Sequence, residues 1–173
     1  LLPLNISKGV LNGFVKVENS LRTTQGTLNA QANETSSELE TKYLQNQENV
    51  KPFYEKAQTV NNQAGGLISY ITEMKARIMA ASAGDYDDSG ELNINNYLGK
   101  DENGMDTVLN LALVPIKDEY QNLTTFVGMA EPKQPAEGEW TAVELRQKLE
   151  AFRDQMKAIS VVDNQGVRRD LPD

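Results

Sequence analysis

Two long stretches of this chain repeat their apolar residues every third or fourth position, and that spacing limits what it can fold into. The first runs Ile6, Val10, Phe14, Val17, Leu21, Leu28, Ala32, Leu39 and Tyr43, with Thr24 or Gln25 taking the seam in the step of seven from Leu21 to Leu28. The second is cleaner: Phe53, Ala57, Val60, Ala64, Leu67, Ile71, Met74 and Ile78. Steps of three and four place side chains on one face of an α-helix, so each stretch predicts an amphipathic helix with a single buried stripe. Roughly forty residues at ~1.5 Å each make the first helix a rod of about 60 Å. Asn5 or Ser7 can cap its start. Gly9, Gly13 and Gly26 weaken it by ~1 kcal/mol each relative to Ala. Gly9 and Gly13, four apart, also open a flat face that a second backbone can approach.

The polar stretch Gln45–Val50 predicts a turn, and Pro52 then falls where the first turn of a second helix tolerates it. Ala81-Ser82-Ala83-Gly84 supplies a stop. Gly65-Gly66 is a candidate kink or a point of close helix contact. Two long helices joined by a short turn form an antiparallel hairpin. Residues 85–107 are acidic and Asn-rich, and predict a long connection with at most a short helix around Ile94–Leu98. Pro115 ends or kinks a helix, so a third helix is expected to start near it and to carry Ile116, Tyr120, Leu123 and Val127. Pro132, Pro135 and Gly138 mark a linker. Thr141 with Glu144 is a capping-box pattern, followed by Leu145, Leu149, Phe152, Met156 and Ile159. Ser160–Asp173 predicts a polar linker. The expected fold class is all-α, a four-helix bundle with a long antiparallel helical hairpin.

Composition narrows the chemistry. The chain of 173 residues has neither cysteine nor histidine. That removes disulfides, thiol nucleophiles, the commonest general base and the commonest transition-metal ligands. The net charge of −8 speaks against nucleic acid and anionic membrane surfaces as partners. No catalytic, cofactor-binding or metal site is assigned, and the expectation is of a protein that is not an enzyme.

The sharpest local motif is Asp85-Tyr86-Asp87-Asp88-Ser89-Gly90-Glu91-Leu92-Asn93-Ile94-Asn95-Asn96, which follows a helix as an EF-hand loop does. Oxygen donors stand at its first, third and fifth positions and Gly at the sixth. Asn96 stands where a bidentate carboxylate belongs, which lowers both charge and coordination number. We read the stretch as an acidic, turn-forming surface loop, with a weak calcium site at Asp85, Asp87, Ser89 and Glu91 as the alternative. Glu34, Glu38, Glu40, Asp118 and Glu119 read as solvated helix faces. Trp140 reads as a staple at the start of the last helix. Arg168-Arg169 is too short for a nucleic-acid patch.

Three stretches carry a family resemblance. Leu4-Asn5-Ile6-Ser7-Lys8-Gly9-Val10-Leu11-Asn12-Gly13-Phe14, with Val17-Glu18-Asn19-Ser20-Leu21, resembles the GldM/PorM family. There a transmembrane helix runs through a short junction into an apolar-spaced helix. Tyr70-Ile71-Thr72-Glu73-Met74-Lys75 is similar to a second-helix pattern of that family. The run Glu144-Leu145-Arg146-Gln147-Lys148-Leu149-Glu150-Ala151-Phe152-Arg153-Asp154-Gln155-Met156 is similar to a late helix. The resemblance covers most of 4–82 and 141–160, with 84–138 treated as variable loop.

This resemblance implies that residues 1–4 end a truncated transmembrane helix, that 5–160 form a periplasmic helical bundle, and that 161–173 lead to further domains. It implies a homodimer anchored in the inner membrane, with a GldL-type partner around the transmembrane segments. Outer-membrane secretion or gliding components would engage through later domains. The implied role is non-enzymatic force transmission in the type IX secretion and gliding machinery. The competing reading is a helical binding module using the loop at 85–96 for calcium.

Overall fold

A computed structural model describes the backbone of residues 8–101, 104, 106–109, 120–129, 133–163 and 165–170; side chains are described for these except at 8–19, 21–22, 120–122 and 169–170. Among the described residues the protein is mainly helical. In chain order come α1 (Lys8–Gln45), α2 (Gln47–Ala83), a 3-10 turn (Ile94–Tyr97), β1 (Leu98–Lys100), β2 (Asp106–Val108), α3 (Tyr120–Val127), α4 (Ala142–Lys157), β3 (Ser160–Val162) and β4 (Arg168–Asp170). The expected transmembrane stub at 1–4, the caps Asn5 and Ser7, the helix start near Pro115, and Ile116, Asp118 and Glu119 lie outside the described residues. So do the surroundings of Gly9 and Gly13.

The chain divides into two compact units, Leu1–Ala57 with Val162–Val167, and Gln58–Val161 with Arg168–Asp173. In the first unit, the expected turn at 45–50 shrinks to one residue. The Asn46 N–H donates to the Lys42 carbonyl at 3.0 Å, closing α1, and its own carbonyl accepts from Val50 N–H at 3.1 Å, opening α2. The Asn46 side-chain oxygen accepts from the Asn49 N–H at 3.4 Å, the capping geometry that Asn favours. Pro52 therefore falls inside α2, not in its first turn. The rings of Tyr43 and Tyr54 stack 4.4 Å apart and within 4° of parallel. Eleven residues of unbroken helix would separate them by roughly 16 Å, so the helix axis turns sharply at Asn46. α1 is rich in Thr, and Thr24, Thr27, Thr35 and Thr41 each donate a hydroxyl to the carbonyl four residues back. That pairing lets these β-branched polar residues sit inside a helix.

In the second unit the core forms on the last turns of α2. Ala76, Met79, Ala80, Tyr97 and Val108 are buried together, with Ala83, Leu92, Ile94 and Leu98 packed around them. Positions 76, 79, 80 and 83 share one helical face. Three of the four are alanine, so the segment 92–108 can approach the helix closely. Gly84 stops α2 at φ +66°. Its N–H donates to the Ala81 carbonyl and the Asp85 N–H to the Ala80 carbonyl, at 3.1 and 3.0 Å. This is a Schellman motif, and its left-handed residue is the one that has no Cβ to clash.

The expected connection at 85–107 does contain the short helix near Ile94, but it also holds strands. β1 and β2 pair antiparallel in the register Leu98↔Val108, Gly99↔Thr107, Lys100↔Asp106. Three-residue strands interrupted by Gly99 carry no readable period of two. Ser160–Asp170, expected as a polar linker, folds into paired β3 and β4. Its turn is set by the Asp163 carboxylate, which accepts from the N–H groups of Gln165 and Val167 at 3.0 and 2.9 Å. The fold is therefore mainly helical with two small sheets.

Gly65 and Gly66 do not interrupt α2, and a Cβ at either would meet nothing within 4 Å. Among the described residues, neither is a point of close helix contact. Gly128 differs. It ends α3 at φ +84°, and a Cβ there would strike the Gln134 carbonyl oxygen and the Pro135 backbone. It is the residue on which the Met129↔Gln134 bridge closes. Gly65→Ala should raise stability by ~0.5–1 kcal/mol. Ala80→Leu, at a fully enclosed position, should lower it by about 1–3 kcal/mol. Urea denaturation followed by far-UV circular dichroism measures both.

Candidate functional site

The acidic loop after α2 is closed by its own hydrogen bonds. Tyr86 and Leu92 bridge antiparallel across it. Asp87 Oδ1 accepts from the Ser89 N–H and hydroxyl and from the Glu91 N–H, at 2.9, 2.7 and 2.9 Å. Asp85 turns the other way, its two oxygens accepting from the side-chain amides of Asn93 and Asn96 at 2.8 and 3.0 Å. These bonds favour the ionised forms, so both carboxyls sit below the usual range, Asp85 chiefly through Asn96 and Asp87 chiefly through the Ser89 hydroxyl. The four oxygen-bearing residues singled out in the sequence are thus divided between a tight turn and a brace onto the 3-10 turn. Asn96, the departure from the calcium-loop pattern, is the residue that holds Asp85. Among the described residues no three acidic side chains gather as a metal-holding group.

The densest set of side-chain interactions lies between α2 and α4. The Trp140 ring stacks on Tyr70 at 4.8 Å and 8°. The Arg77 guanidinium covers the outer face of Trp140 at 4.2 Å, and the Lys148 ammonium lies 4.7 Å from the Tyr70 ring. Glu144 ties the set together. Its Oε2 accepts from the Tyr70 hydroxyl at 2.8 Å and from the Trp140 N–H at 2.6 Å, and its Oε1 pairs with Lys148 at 3.2 Å. Arg77 is itself fixed by Glu73 at 2.7 Å.

Thr141 caps α4 as expected, its hydroxyl oxygen accepting from the Glu144 N–H at 3.2 Å and donating to the Gly138 carbonyl at 2.9 Å. The return bond of the capping box is displaced by one residue, since Glu144 reaches the Trp140 N–H. Trp140 packs against α2 through Tyr70. Sequence reasoning had both Trp140 and Tyr70 in view, but nothing in the linear pattern pairs residues seventy apart.

Trp140 is the one non-glycine residue at positive φ among those described, at +61°. For a bulky side chain this costs on the order of 1–3 kcal/mol. The aromatic stack offsets ~0.5–1.5 kcal/mol of it and each cation–π contact ~0.5–1 kcal/mol. The charge-assisted hydrogen bonds to Glu144 tip the balance to the closed arrangement. Beyond the set, α2 and α4 leave a shallow groove of about 250 Å³ between Gln63, Gly66, Leu67 and Tyr70 on one side and Lys148, Ala151, Phe152 and Gln155 on the other.

On α1, Glu34, Glu38 and Glu40 are exposed, as their reading as a solvated face requires. Leu28 is 58% exposed and Ala32 is exposed beside it, while Leu39 and Tyr43 are half-buried. Arg168 lies on β4 and is exposed. No helix among the described residues is long and apolar enough to cross a membrane.

Fold and side-chain groups together define a mainly helical module built on two helices of 38 and 37 residues. The family model for the GldM N-terminal domain matches residues 9–112, more than half of the chain. The chain belongs to the GldM family, a membrane-anchored structural component of the gliding and type IX secretion machinery. The match spans α1, α2 and the β1–β2 hairpin. It therefore includes residues 84–112, which the motif resemblance treated as variable loop, and stops short of the late helix at 144–156. No curated protein and no solved structure matches the chain.

The Tyr70–Glu144 pair sets a pH dependence. Burial first, and then the Glu144 carboxylate, push the Tyr70 phenol up to about 12. The Tyr70 hydroxyl first holds Glu144 below the usual carboxylate range. A raised phenol contributes stability that is complete below its ordinary pKa near 10 and lost as pH rises from there towards 12. A depressed carboxyl contributes stability present above its unfolded pKa and lost as pH falls through the folded value. Urea midpoints read from the Trp140 emission should therefore be level between about pH 6 and 9 and fall on both sides, and Tyr70→Phe should shrink the alkaline fall. Thr141→Ala should cost about 1–2 kcal/mol in the same titration.

Proposed function

We propose that this domain is a non-enzymatic, force-transmitting element of the periplasmic part of an inner-membrane motor protein, acting as a homodimer in type IX secretion and gliding. The observation that carries the reading is the GldM match across α1 and α2, which coincides with the two longest helices of the chain. A continuous helix resists bending because every interior turn is tied to the next by hydrogen bonds, and 38 residues extend about 57 Å. Transmission of motion needs that stiffness and no chemistry. A four-helix bundle with α1 and α2 as its long hairpin is the architecture that suits it.

The apolar stripe of α1 supports the dimer. Among the residues of α1 whose side chains are described none is buried, although Leu28, Ala32, Leu39 and Tyr43 share one face. A helix gains most of its stability from packing such a face, and the same stripe on a second copy satisfies it. In the intact protein a GldL-type partner would engage the membrane anchor, and outer-membrane secretion or gliding components would engage later domains. The calcium-module reading has less support, because Asp85 and Asp87 serve separate hydrogen-bond sets.

Light scattering across a concentration series, first with calcium and then with EGTA, tests the reading. A dimer or a monomer–dimer equilibrium of unchanged position in both is expected. Leu28→Asp with Ala32→Glu should shift it at least tenfold towards monomer, since each copy would place new charge at the interface, with the circular dichroism spectrum retained. A monomer whose compactness follows calcium would overturn the proposal in favour of the binding module.

A further inference from the structure

The polar and aromatic contacts between α4 and α2 gather at the start of α4. Thr141, immediately before the helix, is only 1% exposed, whereas α4 itself holds no buried residue and Leu149 is 44% exposed. From Lys148 onward α4 and α2 line the groove that ends at Gln63 and Gln155. Among the described residues the polar and aromatic contacts to α2 gather in the Arg77–Trp140–Tyr70–Lys148 stack, and Glu144 touches three of its four members or their backbone. Removing Glu144 from its place breaks these bonds together. α4 also packs against α3, which is joined to the lead-in of α4 by the Met129–Gln134 closure.

Tyr70 and Arg77 are seven residues apart and share one face of α2, while Ala76, Met79 and Ala80, which carry the core, occupy a face turned by roughly 100°. The two packings thus use different sides of the same helix. Trp140, held at positive φ, gains backbone freedom as soon as its ring leaves the stack.

We propose that the Arg77–Trp140–Tyr70–Lys148 stack, centred on Glu144, is a latch that releases α4, with α3 packed on it, as one arm while the core between α2 and β1–β2 stays folded. Release uncovers Leu67 and Tyr70 on α2 and Phe152 on α4, enlarging the groove into a continuous apolar face. Such a local opening lies on the low-stability side of the fold because α4 itself contributes no buried residue.

Trp140 is the single tryptophan of the chain, so its emission reports this latch and nothing else. Urea titration of the 173-residue chain should show the indole emission shifting to the red at lower urea than the loss of helical ellipticity at 222 nm. Glu144→Gln should raise the open fraction roughly tenfold or more, the effect of losing charge-assisted hydrogen bonds, and move only the emission midpoint. Tyr70→Phe keeps the stack and removes only the hydroxyl, so it carries the same test should Glu144→Gln fold poorly. Coincident emission and ellipticity transitions in the unmodified chain would overturn the latch, as would either substitution displacing both midpoints equally.

Discussion

Everything described in the second unit hangs on the last four turns of α2. That segment is a two-sided surface. One side is made of small residues, Ala76, Ala80 and Ala83, against which Tyr97 and Val108 come to rest; the other presents Tyr70 and Arg77 to Trp140. Alanine on the first side is a matter of distance, since a larger residue would hold the β1–β2 hairpin off the helix. The second side joins by stacking and charge. The two attachments differ in kind: the first is mainly apolar packing, the second is polar and aromatic.

The helices were legible because their information is local. Apolar spacing located α1 and α2, Gly84 marked the end of α2, and Thr141 with Glu144 marked the start of α4, each through chemistry acting within a turn or two. What was not legible depends on partners distant in the chain. β1 and β2 are three residues each and owe their existence to the alanine face of α2, so no pattern within Leu98–Val108 announces them. Asn46 was hidden in a polar run because one capping residue can do the work of a six-residue turn. Pro52 looked like a helix start when the helix had begun five residues earlier.

The acidic loop shows how the same residues can satisfy a motif and a fold differently. Its donor spacing matches a cation loop through the sixth position, yet Asp87 folds back on Ser89 and Glu91 while Asp85 turns to Asn93 and Asn96. The asparagine at the twelfth position is informative after all: an amide can donate a hydrogen bond, which a carboxylate cannot. Family membership then gives this loop a context, since the matched region continues through it to residue 112.

The single-residue joint at Asn46 leaves the chain no slack between α1 and α2. One inserted residue near it would turn all that follows by about 100° about the helix axis and carry Tyr54 off the ring of Tyr43. Length variation in this region of related chains should therefore come as matched additions on both sides of the joint, or in steps close to whole helical turns. The phase of the two helices, more than the identity of their exposed residues, is what the joint preserves.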